Sequence, residues 1–340
     1  MKKIKIRNLK PGLILAENLT KDSIILLTQG TVVTEKDIER LKRYKVDELY
    51  IYDEDDFQKE SNIKIEFKEI PPVIESKKYN AWNEQFDKVL DITKIQEDTS
   101  ELNDMVEDIY STFLEKDEIF LNLFHSIGDK ALQSHSINTS IISSIISIHL
   151  KMPKIFSDQL LKLSLIHDMG YAFIDKRIVF DYEETQSKYV KSHLISGYKA
   201  FENLKKQLSK EVVNSIIAHH ERYDGNGILM GLKGEKISPL IRIMQIGDAY
   251  DSLIEIKKTP YEAMSYLLKN SGKIFDPYYV STFFSIAGLY PTGTKVLLNN
   301  NEVGVVMKKG KAAVFPIINL NGHIIETGPK SGVYIKEVIG

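Results

Sequence analysis

At 340 residues, with 45 basic against 47 acidic side chains and a formal charge of −2, the chain can bury a large core and has no global pull toward nucleic acid or an anionic membrane. It has no cysteine, which excludes disulfides, thiolate zinc sites and cysteine nucleophiles and leaves only nitrogen and oxygen ligands for any metal. The basic start MKKIKIRNLKPG lacks a signal-peptide core, and no run reaches the roughly eighteen apolar residues of a membrane span, so a soluble, cytoplasmic protein with no membrane span and no stable nucleic-acid binding is expected.

Residues 1–52 read as a small α+β module: DSIILLTQGTVVT (22–34) as two strands around a Gln-Gly turn, EKDIERLKRY (35–44) as an amphipathic helix and VDELYIY (46–52) as a closing strand. Residues 53–95 read as a charged linker that becomes helical after Pro71-Pro72. Helical periodicity dominates 96–286, with starts expected at Ser100, Ser157 and Ser209, whose side chains can cap free amides. Within it, INTSIISSIISIHL (137–150) comes nearest to a membrane span but is peppered with serine. From 287 to 340 the pattern returns to strands at KVLLN (295–299), VGVVMKK (303–309), AAVFPIINL (312–320) and GHIIET (322–327), a small β module. The expected fold class is therefore multidomain, a helical bundle flanked by an α+β and a β module. The region 80–120 also suggests a paired-helix homodimer.

Five of the eight histidines fall in helical contexts that can face one centre. Leu132, His135, Thr139, Ile142 and Ile146 step by three and four, which puts His135 in the buried stripe of a long helix. His149 lies near that stripe but about 21 Å further along at a rise of about 1.5 Å per residue, too far to share a site. In SDQLLKLSLIHDMG (157–170), an apolar run leads into His167-Asp168 and Gly170 suits a helix terminator. His193 lies in KSHLISGY, His219 and His220 extend the inner face of SKEVVNSIIAHHE, and Asp248 follows Ile241 and Met244 on an apolar face. One inward histidine is ordinarily a hydrogen-bonded core residue, and His167-Asp168 alone fits a helix-end ion pair. Several expensive polar groups in one helical core are better satisfied together by a pair of divalent cations.

The order His…His-Asp…His…His-His…Asp, with HHERYDGNG (219–227), GLKGEKIS (231–238), IRIMQIGDAYDSL (241–253), PY (260–261) and DP (276–277), resembles the HD-GYP branch of the HD-domain metal-dependent phosphohydrolases over roughly 110–285. The resemblance implies an all-α HD-type bundle and a phosphodiesterase for cyclic di-GMP or a related cyclic dinucleotide. It also implies a two-metal site, whose ligand type suits iron or manganese and also admits zinc or nickel. His135, His167, Asp168 and Asp248 would hold one ion, and His193, His219 and His220 the second. Asp168 would bridge, and His167 and Asp168 form the implied catalytic pair. The glutamate that helps some members bind a third metal is Ala131 here.

The chain departs from the family pattern around the substrate. The phosphate-binding lysine is Tyr171, the Gly-Tyr-Pro is Gly227-Ile228-Leu229, and the Arg-Pro-Tyr-Arg-like stretch is TPYE (259–262). Tyr171 brings no charge, and Glu262 would repel phosphate if it faced the pocket. Expected substrate contacts are Tyr171, Ile228, Tyr261 and Lys258. Lys257 and Lys258 read either as replacement charge or, more commonly, as a solvated helix-end pair. Three functions follow: a cyclic dinucleotide phosphodiesterase, a degenerate signalling scaffold with partners such as diguanylate cyclases, or an HD hydrolase for another phosphoester.

Overall fold

In β4 (Glu48–Ile51), Leu49 and Ile51 are buried while Glu48 and Tyr50 face outward, the two-residue period of a half-buried strand. The computed structural model to which this strand belongs describes residues 2–10, 13, 15, 19–21, 24–27, 33–44, 46–51, 72–91, 98–116, 119, 121–125, 131–174, 188–204, 207–256, 259–312 and 315–339. Met1–Glu69 with Lys295–Gly340 makes one compact unit and Ile70–Thr294 the other.

In the first unit, β1 (Lys2–Lys5) pairs antiparallel with β4, and β2 (Leu19–Lys21) with β3 (Ile24–Leu27). The hairpin thus lies before the expected Gln-Gly turn, and residues 28–32 fall outside the described residues. Helix α1 (Glu35–Arg43) starts on a capping box in which Thr34 Oγ1 accepts from Asp37 N and Asp37 Oδ2 from Thr34 N. Ile38 and Leu41 of α1 join Leu26, Leu49 and Ile51 in the core. The C-terminal strands β5 (Lys295–Leu298), β6 (Val303–Lys308), β7 (Ile317–Leu320), β8 (His323–Glu326) and β9 (Ile335–Val338) form an antiparallel sheet ordered β8-β7-β6-β5-β9. Four strands match the sequence reading, while β9 carries a weak burial pattern and was missed.

The second unit is helical. Helix α2 (Ser76–Val89) buries Tyr79, Trp82, Phe86 and Val89, steps of three and four, so the helical end of the expected linker belongs to the main core. It packs with α3 (Ser100–Leu114) and α4 (Ala131–His149), and these two pack in turn on α5 (Lys154–Ile166). Ser157 lies buried inside α5 rather than at its start, because Pro153 occupies the N-cap. The serine-rich α4 is buried on nearly all sides. Two of its hydroxyls bond locally, Ser140 to Ile137 O and Ser147 to Ser144 O, which satisfies those two without water. Helices α6 (Lys188–Phe201), α7 (Lys210–Ala218), α8 (Pro239–Glu255), α9 (Pro260–Lys269) and α10 (Pro277–Ala287) complete the bundle. Ser209 caps α7 as expected, accepting from Val212 N. Among the described residues no helix is long and apolar enough to cross a membrane.

Candidate metal centre

Two close backbone approaches bring the polar residues together. At Gly247 of α8 a Cβ would lie 3.0 Å from Thr139 O, so glycine lets α8 settle on α4, and Asp248 Oδ1 comes 3.4 Å from His135 Nε2. At Gly170, in the 3-10 turn Met169–Phe173 that follows α5, a Cβ would stand 1.9 Å from His193 O and 2.9 Å from Gly197 N. Only glycine admits α6 there, and α6 carries His193. His167 caps the C-terminus of α5 and Asp168 follows it. His219 ends α7 with His220 next in the chain.

These groups form two clusters, His135-His167-Asp168 and Asp168-His193-His219-His220, whose ligand atoms lie within 4.8 Å of one another in each. Asp168 belongs to both. Its Oδ2 lies 3.7 Å from His135 Nε2 and 3.6 Å from His167 Nε2, while its Oδ1 lies 3.3 Å from both His193 Nε2 and His219 Nε2. Each carboxylate oxygen therefore faces one cluster. His135, His167 and His193 are fully buried, and Asp168 and Asp248 nearly so.

The second ring nitrogens of His167 and His219 are held by the protein. Nδ1 of His167 donates to Ser164 O at 2.9 Å and Nδ1 of His219 to Ile216 O at 2.7 Å, each fixing the tautomer with Nε2 toward the centre. Burial pushes the His167 imidazole down to about 4, so it is neutral at pH 7, and its buried Nε2 makes no hydrogen bond. Burial, then the neighbouring His219 and His193, likewise holds His220 well below its ordinary value. For Asp168 burial pulls upward, but the His167, His193 and His219 rings clustered around it outweigh it and keep the carboxyl well below its usual range. For Asp248 the adjacent His135 and His167 overcome burial in the same sense. The neutral His167, whose buried Nε2 lone pair is bare, beside ionised Asp168 and Asp248, with Asp168 shared by two histidine clusters, fits a pair of divalent cations.

The seven expected ligands thus converge. Of the expected substrate contacts, Tyr171 is 5% exposed and stacks on the His193 ring, centroids 4.0 Å apart and planes 15° from parallel. Ile228 is half-buried in the loop after His220. Tyr261 stacks on Tyr290 at 5.7 Å. Lys258 and Lys257 lie outside the described residues. Glu262 is engaged as the third residue of α9, where its carboxylate accepts from Thr259 N at 2.8 Å and completes a capping box. The stack predicts that Tyr171→Phe keeps metal content and substrate KM within about 3-fold of wild type. Tyr171→Leu should weaken metal retention at the His193 cluster by about 10-fold, read by metal analysis after desalting.

Sequence reasoning missed four residues. Asp251 is buried against His135, and His125 bonds Asp251 from the solvent edge. The buried Glu221 carboxylate accepts from Leu229 N, Met230 N and Leu232 N, fixing the loop that replaces Gly-Tyr-Pro. Gln245 donates to His219 O and Glu221 O, tying that turn to α8. The HHE adjacency beside a glycine-rich loop was a usable signal for Glu221. The i, i+3 spacing from Asp248 was one for Asp251.

Residues 113–278 match the HD domain family. A cyclic di-GMP phosphodiesterase of Pseudomonas aeruginosa is 26% identical over 235 residues, 66% of this chain and 56% of that protein. One of Borreliella burgdorferi is 26% identical over 211 residues, 58% of this chain and 55% of that one. The chain spans about half the length of these curated relatives. An HDG"Y"P protein from Bdellovibrio bacteriovorus superposes with a TM-score of 0.52 at 18% identity, covering 84% of this chain and 98% of that one, a likeness of fold.

Proposed function

We propose, from the membership of residues 113–278 in the HD domain family, that this protein is a metal-dependent phosphodiesterase acting on cyclic di-GMP or a related cyclic dinucleotide. The observation that carries the reading is Asp168, whose two oxygens each face a separate histidine cluster. His135, His167 and Asp248 would hold one cation with Asp168, and His193, His219 and His220 the other; the donor set suits iron or manganese. Bound there, the cations supply Lewis acidity toward a phosphodiester oxygen and make a water more acidic. The protein's part is positional. The Nδ1 hydrogen bonds of His167 and His219 lock those rings before substrate arrives, and burial keeps the surrounding charges poorly screened. The mechanism needs no nucleophilic side chain.

A second reading rests on the stacked Tyr171 and the capped Glu262. Neither offers a cation to substrate phosphate, which favours a phosphoester other than cyclic di-GMP, or a partner-binding role such as contact with diguanylate cyclases. The test is turnover by protein purified without oxygen and reconstituted with iron or manganese. Cyclic di-GMP, other cyclic dinucleotides and simple phosphoesters would be offered in parallel and the products resolved by chromatography. The first reading predicts cleavage of a cyclic dinucleotide in preference to the rest. Preference for another phosphoester selects the second, and metal-loaded protein that cleaves none of them favours partner binding.

A further inference from the structure

Asp251 lies one turn beyond Asp248 on α8 and its side chain is fully buried. Three donors converge on it. His135 Nδ1 lies 2.8 Å from Oδ2, while Oδ1 takes Asn138 Nδ2 at 2.8 Å and His125 Nε2 at 3.1 Å. An ionised carboxylate only accepts, so His135 Nδ1 must carry a hydrogen, and its Nε2 is the nitrogen turned toward Asp248 and Asp168. The orientation of Asn138 is settled by the same logic. Its Nδ2 faces two acceptors, Asp251 Oδ1 and Phe124 O at 2.7 Å, and its Oδ1 receives the Tyr79 hydroxyl at 3.0 Å. A chain of bonds therefore runs from Tyr79 on α2 through Asn138 on α4 to Asp251 on α8 and ends on His135.

We infer that Asp251 is a positioning residue for the metal centre: it fixes the tautomer and ring plane of His135, and Asn138 and Tyr79 fix Asp251. A ligating histidine is ordinarily steadied by such an outer carboxylate or carbonyl, and loss of that partner typically costs 10- to 100-fold in metal affinity. His167 and His219 use backbone carbonyls for this purpose, so His135 is distinguished by a carboxylate contributed by another helix. The inference rests on the metal-centre reading and is independent of the substrate.

Asp251→Asn separates this role from simple core packing because it preserves shape while replacing one acceptor oxygen with a donor. With its oxygen kept by Asn138 and His125, the new amide faces His135 Nδ1 and drives the proton to Nε2, the nitrogen the metal needs. Two readouts on the full chain test this: manganese titration of metal-free protein followed by electron paramagnetic resonance, and histidine nitrogen NMR. Wild type should bind two equivalents and show His135 protonated at Nδ1. The variant should bind one equivalent as before, bind the other 10- to 100-fold more weakly, and show His135 protonated at Nε2. Unchanged affinity for both ions with an unchanged tautomer would overturn the role of Asp251. If the variant fails to fold, the wild-type spectrum decides, since a bare His135 Nδ1 is incompatible with the assignment. Wild type that takes up no manganese would overturn the centre itself, and with it this role.

Discussion

Asp168→Ala should yield a folded protein that retains neither cation firmly and hydrolyses cyclic di-GMP at least about 10³-fold more slowly than wild type, a loss of about 4 kcal/mol of transition-state stabilisation. The reason is the sharing of one carboxylate. Oδ1 serves His193 and His219, Oδ2 serves His135 and His167, and removing both oxygens leaves each cluster without the anion that offsets the cation. Asp168→Asn makes the argument sharper, because an amide keeps one accepting oxygen and should support at most one cation. Metal content by mass spectrometry, with circular dichroism to confirm folding, checks both. Two firmly bound ions in either variant would show that Asp168 is not the shared ligand.

Gly170→Ala should be among the most damaging single-methyl additions in the helical unit. The new Cβ would meet His193 O at 1.9 Å, His193 C at 2.7 Å and Gly197 N at 2.9 Å, all backbone atoms with no rotamer to yield. Relief requires α6 to move off the turn, and α6 carries His193. The expected cost is about 3 kcal/mol or more in urea denaturation, at the upper end for overpacking, together with loss of the cation held by the His193 cluster. Gly234→Ala is the control. That residue has φ +57° but nothing within 4 Å of the added Cβ, so only about 1 kcal/mol of backbone strain is expected and metal binding should be intact. Equal stability of the Gly170 variant and wild type would contradict the packing argument.

The helices and several of the candidate ligands were legible in sequence because a polar residue interrupts an apolar face at helical spacing, while the full ligand set was implied by the family resemblance alone. His135 on α4 and Asp248 on α8 stand out because their neighbours one turn away are hydrophobic, and burial without a partner is costly. Asp251 was not legible in the same way, since its meaning depends on His135, 116 residues earlier, and on Asn138, 113 residues earlier. The roles of Tyr171 and Glu262 were similarly hidden. From sequence they register as a lost cation and an added anion, whereas in the fold one ring covers His193 and the other side chain caps α9. The β2–β3 hairpin went unread because Asp22-Ser23 between its strands is a weaker turn signal than Gln29-Gly30, which lies outside the described residues. Strand β9 has little apolar alternation of its own and is defined by its antiparallel partner β5.

The most direct test of a two-cation phosphodiesterase is the rate of cyclic di-GMP hydrolysis as a function of bound iron or manganese per chain, on metal-free protein loaded stepwise without oxygen. A centre built on Asp168 predicts little turnover up to one equivalent and a steep rise as the second binds, saturating at two. Full loading at two equivalents with no hydrolysis, or hydrolysis that is the same with and without metal, would contradict it.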